Sequence, residues 1–159
     1  VYGPIGTYDG GREKAPAALC RKIINAKLDG SKSIEIWGDG EQTRSFMYID
    51  DCIEGTLRLM NSDMRDPVNL GSSELVTINE LVSKVEQISN YNLERTYKLD
   101  APLGVRGRNS DNALIKSKLS WEPSIALSDG LITTYDWIFE QMTGKGEQRI
   151  AYVKGGNAS

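Results

Sequence analysis

Ile34-Glu35-Ile36-Trp37-Gly38-Asp39-Gly40-Glu41-Gln42-Thr43-Arg44-Ser45-Phe46-Met47-Tyr48-Ile49 decides how this chain is read. Alternation over Ile34–Trp37 predicts a short strand, Gly38-Asp39-Gly40 a turn, and Arg44–Ile49 a second strand. Two glycines follow the first strand, but the third glycine of a dinucleotide-binding turn is missing and a strand, not a helix, comes next. The stretch is therefore no pyrophosphate cradle, and the sequence holds no P-loop.

Moving outward from it, Leu19, Cys20, Ile23 and Ile24 recur at helical spacing and predict a helix over 15–26, ended by Asp29-Gly30-Ser31. Asp50 can cap a helix over 51–61, with Ile53, Thr56, Leu57 and Met60 expected to face inward. Pro67-Val68-Asn69-Leu70 reads as a strand bounded by turns. Thr77-Ile78-Asn79-Glu80 is a capping box opening a helix whose apolar stripe is Ile78, Leu81, Val82, Val85 and Ile88. Leu93–Leu99 reads as a strand, followed by a loop at 101–108. Ser110 or Asp111 can cap a helix over 112–119, and Ser128 a last helix over 129–142 striped by Ile132, Tyr135, Ile138, Phe139 and Met142. Helices and short strands alternate throughout, so the class is α/β or α+β. The polar, glycine-rich stretch 143–159 is expected to be a flexible tail.

Composition sets modest limits. The 159 residues suffice for one domain with a core, and a net charge of −3 gives no support to nucleic-acid binding. No run reaches the ~18–20 apolar residues of a membrane span, and no signal peptide opens the chain. Cys20 and Cys52 each fall inside a predicted helix and read as buried thiols of a reducing, cytoplasmic compartment. With no histidine, a transition-metal site built by the chain is not expected. Val1-Tyr2-Gly3-Pro4 reads as the end of a strand entering a loop, so the chain is expected to be a piece of a longer protein.

Three polar segments stand apart from the packing pattern: Arg12-Glu13-Lys14, Glu41-Gln42-Thr43-Arg44 and Arg106-Gly107-Arg108-Asn109. The first is delivered by Gly10-Gly11 onto a helix start, where Pro16 suits the opening turn. The unpaired N–H groups of that turn and the neighbouring cations would welcome an anion, although the residues alone leave open a solvated charged loop. Were the segments brought together, Arg44 and Arg108 would form a two-guanidinium clamp matched to paired phosphate oxygens.

Val1-Tyr-Gly-Pro4, Trp37-Gly-Asp-Gly-Glu-Gln-Thr-Arg-Ser-Phe46 with Tyr48-Ile-Asp50, Val68-Asn-Leu-Gly71 and Leu119-Ser-Trp-Glu-Pro123 resemble, in order, landmarks of the extended short-chain dehydrogenase/reductase family. Its members are NAD-dependent nucleotide-sugar epimerases, dehydratases and decarboxylases with a Rossmann-type half. Gly10–Ala18 and Gly104–Asn112 resemble the branch that epimerises GDP-mannose at C3 and C5. The resemblance implies a mixed α+β, C-terminal substrate-binding part over 1–142, with the dinucleotide-binding half outside the chain.

It further implies that NAD, held mainly by that other half, oxidises the hexose at C4 and acidifies C3 and C5. A base and an acid then move protons on opposite faces before C4 is re-reduced. By position, Lys14 matches the catalytic lysine, while neither cysteine matches its partner. Glu13, Lys14, Ala15, Lys22, Gln42, Thr43, Arg44 and Arg108 would bind the GDP-sugar, the arginines nearest the diphosphate. Ser120 stands where the family carries glycine. Alone, the chain is expected to be inactive, and the apolar faces of Val68–Leu70 and of the helix over 51–61, left uncovered without the other half, to invite self-association. The alternatives are a 4-epimerase or 4,6-dehydratase part, or a non-catalytic binding module.

Overall fold

The computed structural model describes residues 1–102 and 104–144, so the expected tail lies outside the described residues from 145 onward. The elements run α1 (Ala15–Asp29), β1 (Ser33–Trp37), β2 (Thr43–Arg44), α2 (Ile49–Met60), β3 (Val76–Thr77), α3 (Ile78–Ser89), β4 (Glu94–Lys98), α4 (Ala113–Leu119) and α5 (Leu127–Thr143). The mixed α/β reading holds.

β1 and β4 pair in parallel, with Ile34 opposite Arg95 and Ile36 opposite Tyr97. Parallel pairing needs a crossover, and α3 provides it. The burial of β1 alternates as its sequence does, Ile34 and Ile36 turned to the core and Glu35 and Trp37 outward. α1, α3 and α5 pack on one another, and their fully buried Ile23, Ile24, Leu81, Val82, Val85, Leu131, Tyr135 and Ile138 make the centre of the core. Burying each aliphatic chain of this size stabilises by roughly 1.5–3 kcal/mol, which is why these helices and not their propensities hold the fold.

The capping box opens α3 as expected: the Glu80 N–H donates to Thr77 Oγ1 at 3.0 Å and the Thr77 N–H donates to Glu80 Oε2 at 2.7 Å. Gly40 is required by its surroundings. Its φ is 75°, and a Cβ there would lie 2.4 Å from Asn79 Oδ1.

Several expectations are overturned. The strand over 44–49 divides: Thr43–Arg44 pairs with β3, whereas Tyr48 bridges Tyr2. The two ends of the segment thus meet different neighbours. Residues 67–70 form no strand, because among the described residues no strand lies alongside to share their hydrogen bonds. Leu70 instead packs onto α2, close enough that a Cβ at Gly55 would lie 2.5 Å from its Cδ1.

Helix α2 presents its apolar stripe to the outside, the face expected to stay uncovered without the other half. Ile53, Leu57 and Met60 are exposed, Met60 by 75%, while Asp51 and Gly55 are the buried positions. Asp51 is held inward because its Oδ2 accepts the N–H groups of Ser124 and Ile125 at 3.1 and 2.9 Å. Thr56 is exposed with the apolar residues, and Cys52 is only half-buried.

The expected caps shift in the same manner. Tyr48, Asn112 and Ala126 occupy the N-cap positions in place of Asp50, Ser110 or Asp111, and Ser128. Asp111 still serves α4, its Oδ1 accepting the Ala113 N–H at 2.9 Å.

Candidate functional site

Lys14 is the N-cap residue of α1, with extended backbone, Pro16 in the first turn, and no side chain capping that turn. The free N–H groups and the positive end of the helix dipole therefore open on the side from which the chain arrives. The arriving segment is held by α1 itself. Arg21 Nε donates to the Tyr8 carbonyl at 2.8 Å, and Arg21 Nη2 to Glu13 Oε1 at 2.9 Å. The Tyr8 ring rests edge-on against Trp137 of α5, centroids 5.6 Å apart.

A cleft of about 760 Å³ opens beside this helix start. Glu13, Lys14, Ala15, Lys22, Gln42 and Arg44, drawn from segments thirty residues apart in sequence, all line it. Apolar ground comes from Leu19, Ile36, Phe46 and Ile78. The volume falls inside the roughly 300–1,000 Å³ of small-molecule sites, and an apolar wall with few polar groups is their usual build. Its cations, Lys14, Lys22 and Arg44, outnumber its carboxylates, Glu13 and Glu35.

Two of the cleft residues each bury a side-chain oxygen. Gln42 Nε2 donates to the Trp37 carbonyl at 2.9 Å, which turns Gln42 Oε1 the other way, and that buried oxygen meets no donor. Glu13 Oε2 is likewise buried without a partner, although Oε1 is bound by Arg21. Buried acceptors left so are costly. Glu13's own backbone N–H, then the Arg21 guanidinium, hold its carboxyl below the ordinary carboxylate value.

Two predicted residues stand outside the cleft lining. Thr43 is spent on structure: its N–H donates to the Arg106 carbonyl at 2.9 Å. Arg108 is exposed on the loop that this bond ties to β2. Gly107 lets that loop close in, since a Cβ there would lie 2.6 Å from Thr43 Oγ1. Gly104 also sits beside Arg44, its ideal Cβ 3.8 Å from Nη2. The loop bearing Arg108 thus borders the Arg44 end of the site.

Trp37 lines the cleft and Arg21 holds the loop beside it, and neither was among the site residues expected from sequence. Arg21 lies seven residues after Lys14, two helical turns along one face, and that spacing was the available signal. Among the described residues, no cluster of three metal-ligating side chains occurs, and no helix is long and apolar enough to cross a membrane.

Residues 1–71 match the NAD dependent epimerase/dehydratase family. The chain is 53% identical over 142 residues to GDP-mannose 3,5-epimerase of Arabidopsis thaliana, covering 89% of this chain and 36% of that protein. It is 51% identical over 150 residues to GDP-mannose 3,5-epimerase 1 of Oryza sativa subsp. indica, covering 94% of this chain and 38% of that one. Among solved structures, UDP-glucose 4-epimerase of Thermotoga maritima with UDP-glucose is similar at a TM-score of 0.79 and 28% identity, over 89% of this chain and 44% of that chain. The chain thus spans little more than a third of the length of the curated relatives named.

Proposed function

We propose that this chain is the nucleotide-sugar-binding part, over residues 1–142, of an NAD-dependent isomerase that epimerises GDP-mannose at C3 and C5. One observation carries the reading: Glu13, Lys14, Ala15, Lys22, Gln42 and Arg44 share one cleft at the open start of α1. The similarity to GDP-mannose 3,5-epimerases over nine-tenths of the chain supports it.

In this reading the cleft divides by charge. Arg44, with Arg108 on the bordering loop, takes the diphosphate, where a planar fork matches paired phosphate oxygens. Glu13 would repel that group, so its end takes the neutral, hydroxyl-bearing sugar. Lys14 is the proton-transfer residue there, moving a proton at C3 or C5 from one face of the ring. Gln42 contacts the ligand from the same segment as Arg44, and Lys22 adds positive charge at the α1 wall.

The residues present do not fit NAD. β1 runs into a turn of left-handed Gly38 and Gly40 whose inner space Asn79 fills, and the next element is β2 rather than a helix. No hydride step is therefore assigned to this chain. NAD, in this reading, is held by the remaining length that the relatives carry, and the exposed Ile53, Leu57 and Met60 of α2 supply an apolar face for that half or for a second copy. A cytoplasmic location accords with the two free thiols.

The test uses full-length protein carrying this chain. Lys14→Met leaves GDP affinity nearly unchanged and lowers solvent-deuterium exchange at C3 and C5 of GDP-mannose by about 10²–10⁴-fold. Arg108→Ala weakens GDP and GDP-mannose alike. Exchange that persists in Lys14→Met at the wild-type rate removes the lysine from the chemistry and favours a 4-epimerase or 4,6-dehydratase part. A protein that binds GDP-mannose and never exchanges is a binding module.

A further inference from the structure

Arg21 is not among the residues that line the cleft, yet it governs two that do. Its guanidinium makes two hydrogen bonds to one loop, to the Tyr8 carbonyl at 2.8 Å and to Glu13 Oε1 at 2.9 Å, while the exposed Asp9 carboxylate stands off at 3.6 Å as a solvent-screened pair. The loop needs such a tether. Gly10 and Gly11, both left-handed with φ of 88° and 82°, stand between Asp9 and the helix with nothing packed where a Cβ would sit. A Gly-Gly pair without packing leaves the backbone on either side free to rotate.

The attachment to Glu13 is the informative one. The Glu13 side chain is nine-tenths buried, with 10% of its surface exposed, and Arg21 occupies one oxygen only. The other, Oε2, is closed off from solvent, and the backbone N–H groups of Glu13 itself and of Gly11 act on the same carboxylate beside Arg21. Glu13 thus ties the glycine pair to the helix through one buried group.

We propose that Arg21 is a positioning residue: it clamps the segment 8–13 so that the Glu13 carboxylate and Lys14 are held in place at the helix start beside the cleft. The proposal rests on the nucleotide-sugar reading of the cleft. The Tyr8–Trp137 contact anchors the far end of the same segment to α5, so the clamp works between two fixed points. Lysine cannot replace it, because a single ammonium cannot serve the Tyr8 carbonyl from Nε and Glu13 from Nη2 in one fixed plane.

Two measurements test this on Arg21→Gln and Arg21→Lys, with Asp9→Asn as the comparison. Hydrogen exchange reports the loop: Arg21→Gln speeds amide exchange over 8–14 without changing α3 or α5, and Asp9→Asn leaves it near wild type. In full-length protein, deuterium exchange at C3 and C5 of GDP-mannose falls on the order of 10²-fold in Arg21→Gln, the loss expected when a reacting group is displaced by about an ångström. The loss lies in kcat more than in affinity for GDP, which has no hexose to reach Glu13, and Arg21→Lys recovers only part of it. Unchanged loop protection overturns the clamp. A loosened loop with undiminished exchange at C3 and C5, or a loss of GDP affinity in step with exchange, overturns the positioning role. If the wild type itself exchanges neither proton, the parent reading fails, while loop protection still decides the clamp.

Discussion

The Glu74 carboxylate accepts the backbone N–H of Leu127 at 2.9 Å, so the first turn of α5 is capped by a residue 53 positions upstream. A negative group at a helix N-terminus both fills an orphan donor and meets the favourable end of the dipole. Glu74→Ala should destabilise the chain by about 1–2 kcal/mol. Urea denaturation with an unchanged m-value checks it, and an effect below about 0.3 kcal/mol would show the bond to contribute nothing net.

Ser120 closes α4 with a φ of 48°, a left-handed conformation that disfavours any side chain. Glycine should be accepted there with a gain of up to about 1 kcal/mol, the relieved strain exceeding the entropy that glycine adds to the unfolded chain. A higher Tm for Ser120→Gly is the expected result. A lower one would mean that the serine side chain stabilises the turn.

Burial pushes the Cys20 thiol up to about 12, and α1 seals it completely. Cys52 is only half-buried on α2. Iodoacetamide at pH 8 should therefore label Cys52 in the native protein and Cys20 only as fast as the protein unfolds. Mass spectrometry of the two peptides distinguishes them; rapid native labelling of Cys20 would contradict the packing of α1.

Glu13 titrates below its ordinary value of 4.5 when folded, so its charged form is the one the fold favours. The linked stabilisation is therefore complete above the unfolded value and disappears as pH falls through the lower, folded one. The groups that bear on it are its own backbone N–H, the Arg21 guanidinium and the Gly11 N–H. The stability difference between wild type and Glu13→Gln should hold steady above pH 4.5 and shrink below it. A difference that grows with acid would reverse the assignment.

What could be read from the residues was whatever depends on near neighbours. The stripe Leu19-Cys20-Ile23-Ile24, the alternation Ile34–Trp37 and the reciprocal Thr77–Glu80 box are local patterns, and each became the element it predicted. The polar residues of the cleft were legible through motif strings, because chemistry at a turn leaves short, dense runs of charged residues.

Tertiary structure decided the rest, for one physical reason: a side chain's partner can lie anywhere in the chain. Apolar Ile53, Leu57 and Met60 mark a face of α2 that this chain leaves uncovered, while Asp51 is turned inward, since two backbone N–H groups from 124 and 125 satisfy its charge there. Ser128 looks like the cap of α5, yet Glu74 reaches the open N–H first. Residues 67–70 have the composition of a strand and lack the neighbour that makes one. The sequence alone determined the elements and the polar groups they present; only the fold, through contacts between distant segments, decided that Lys14 and Arg44 share a cleft and that Arg21 holds the loop leading into Lys14.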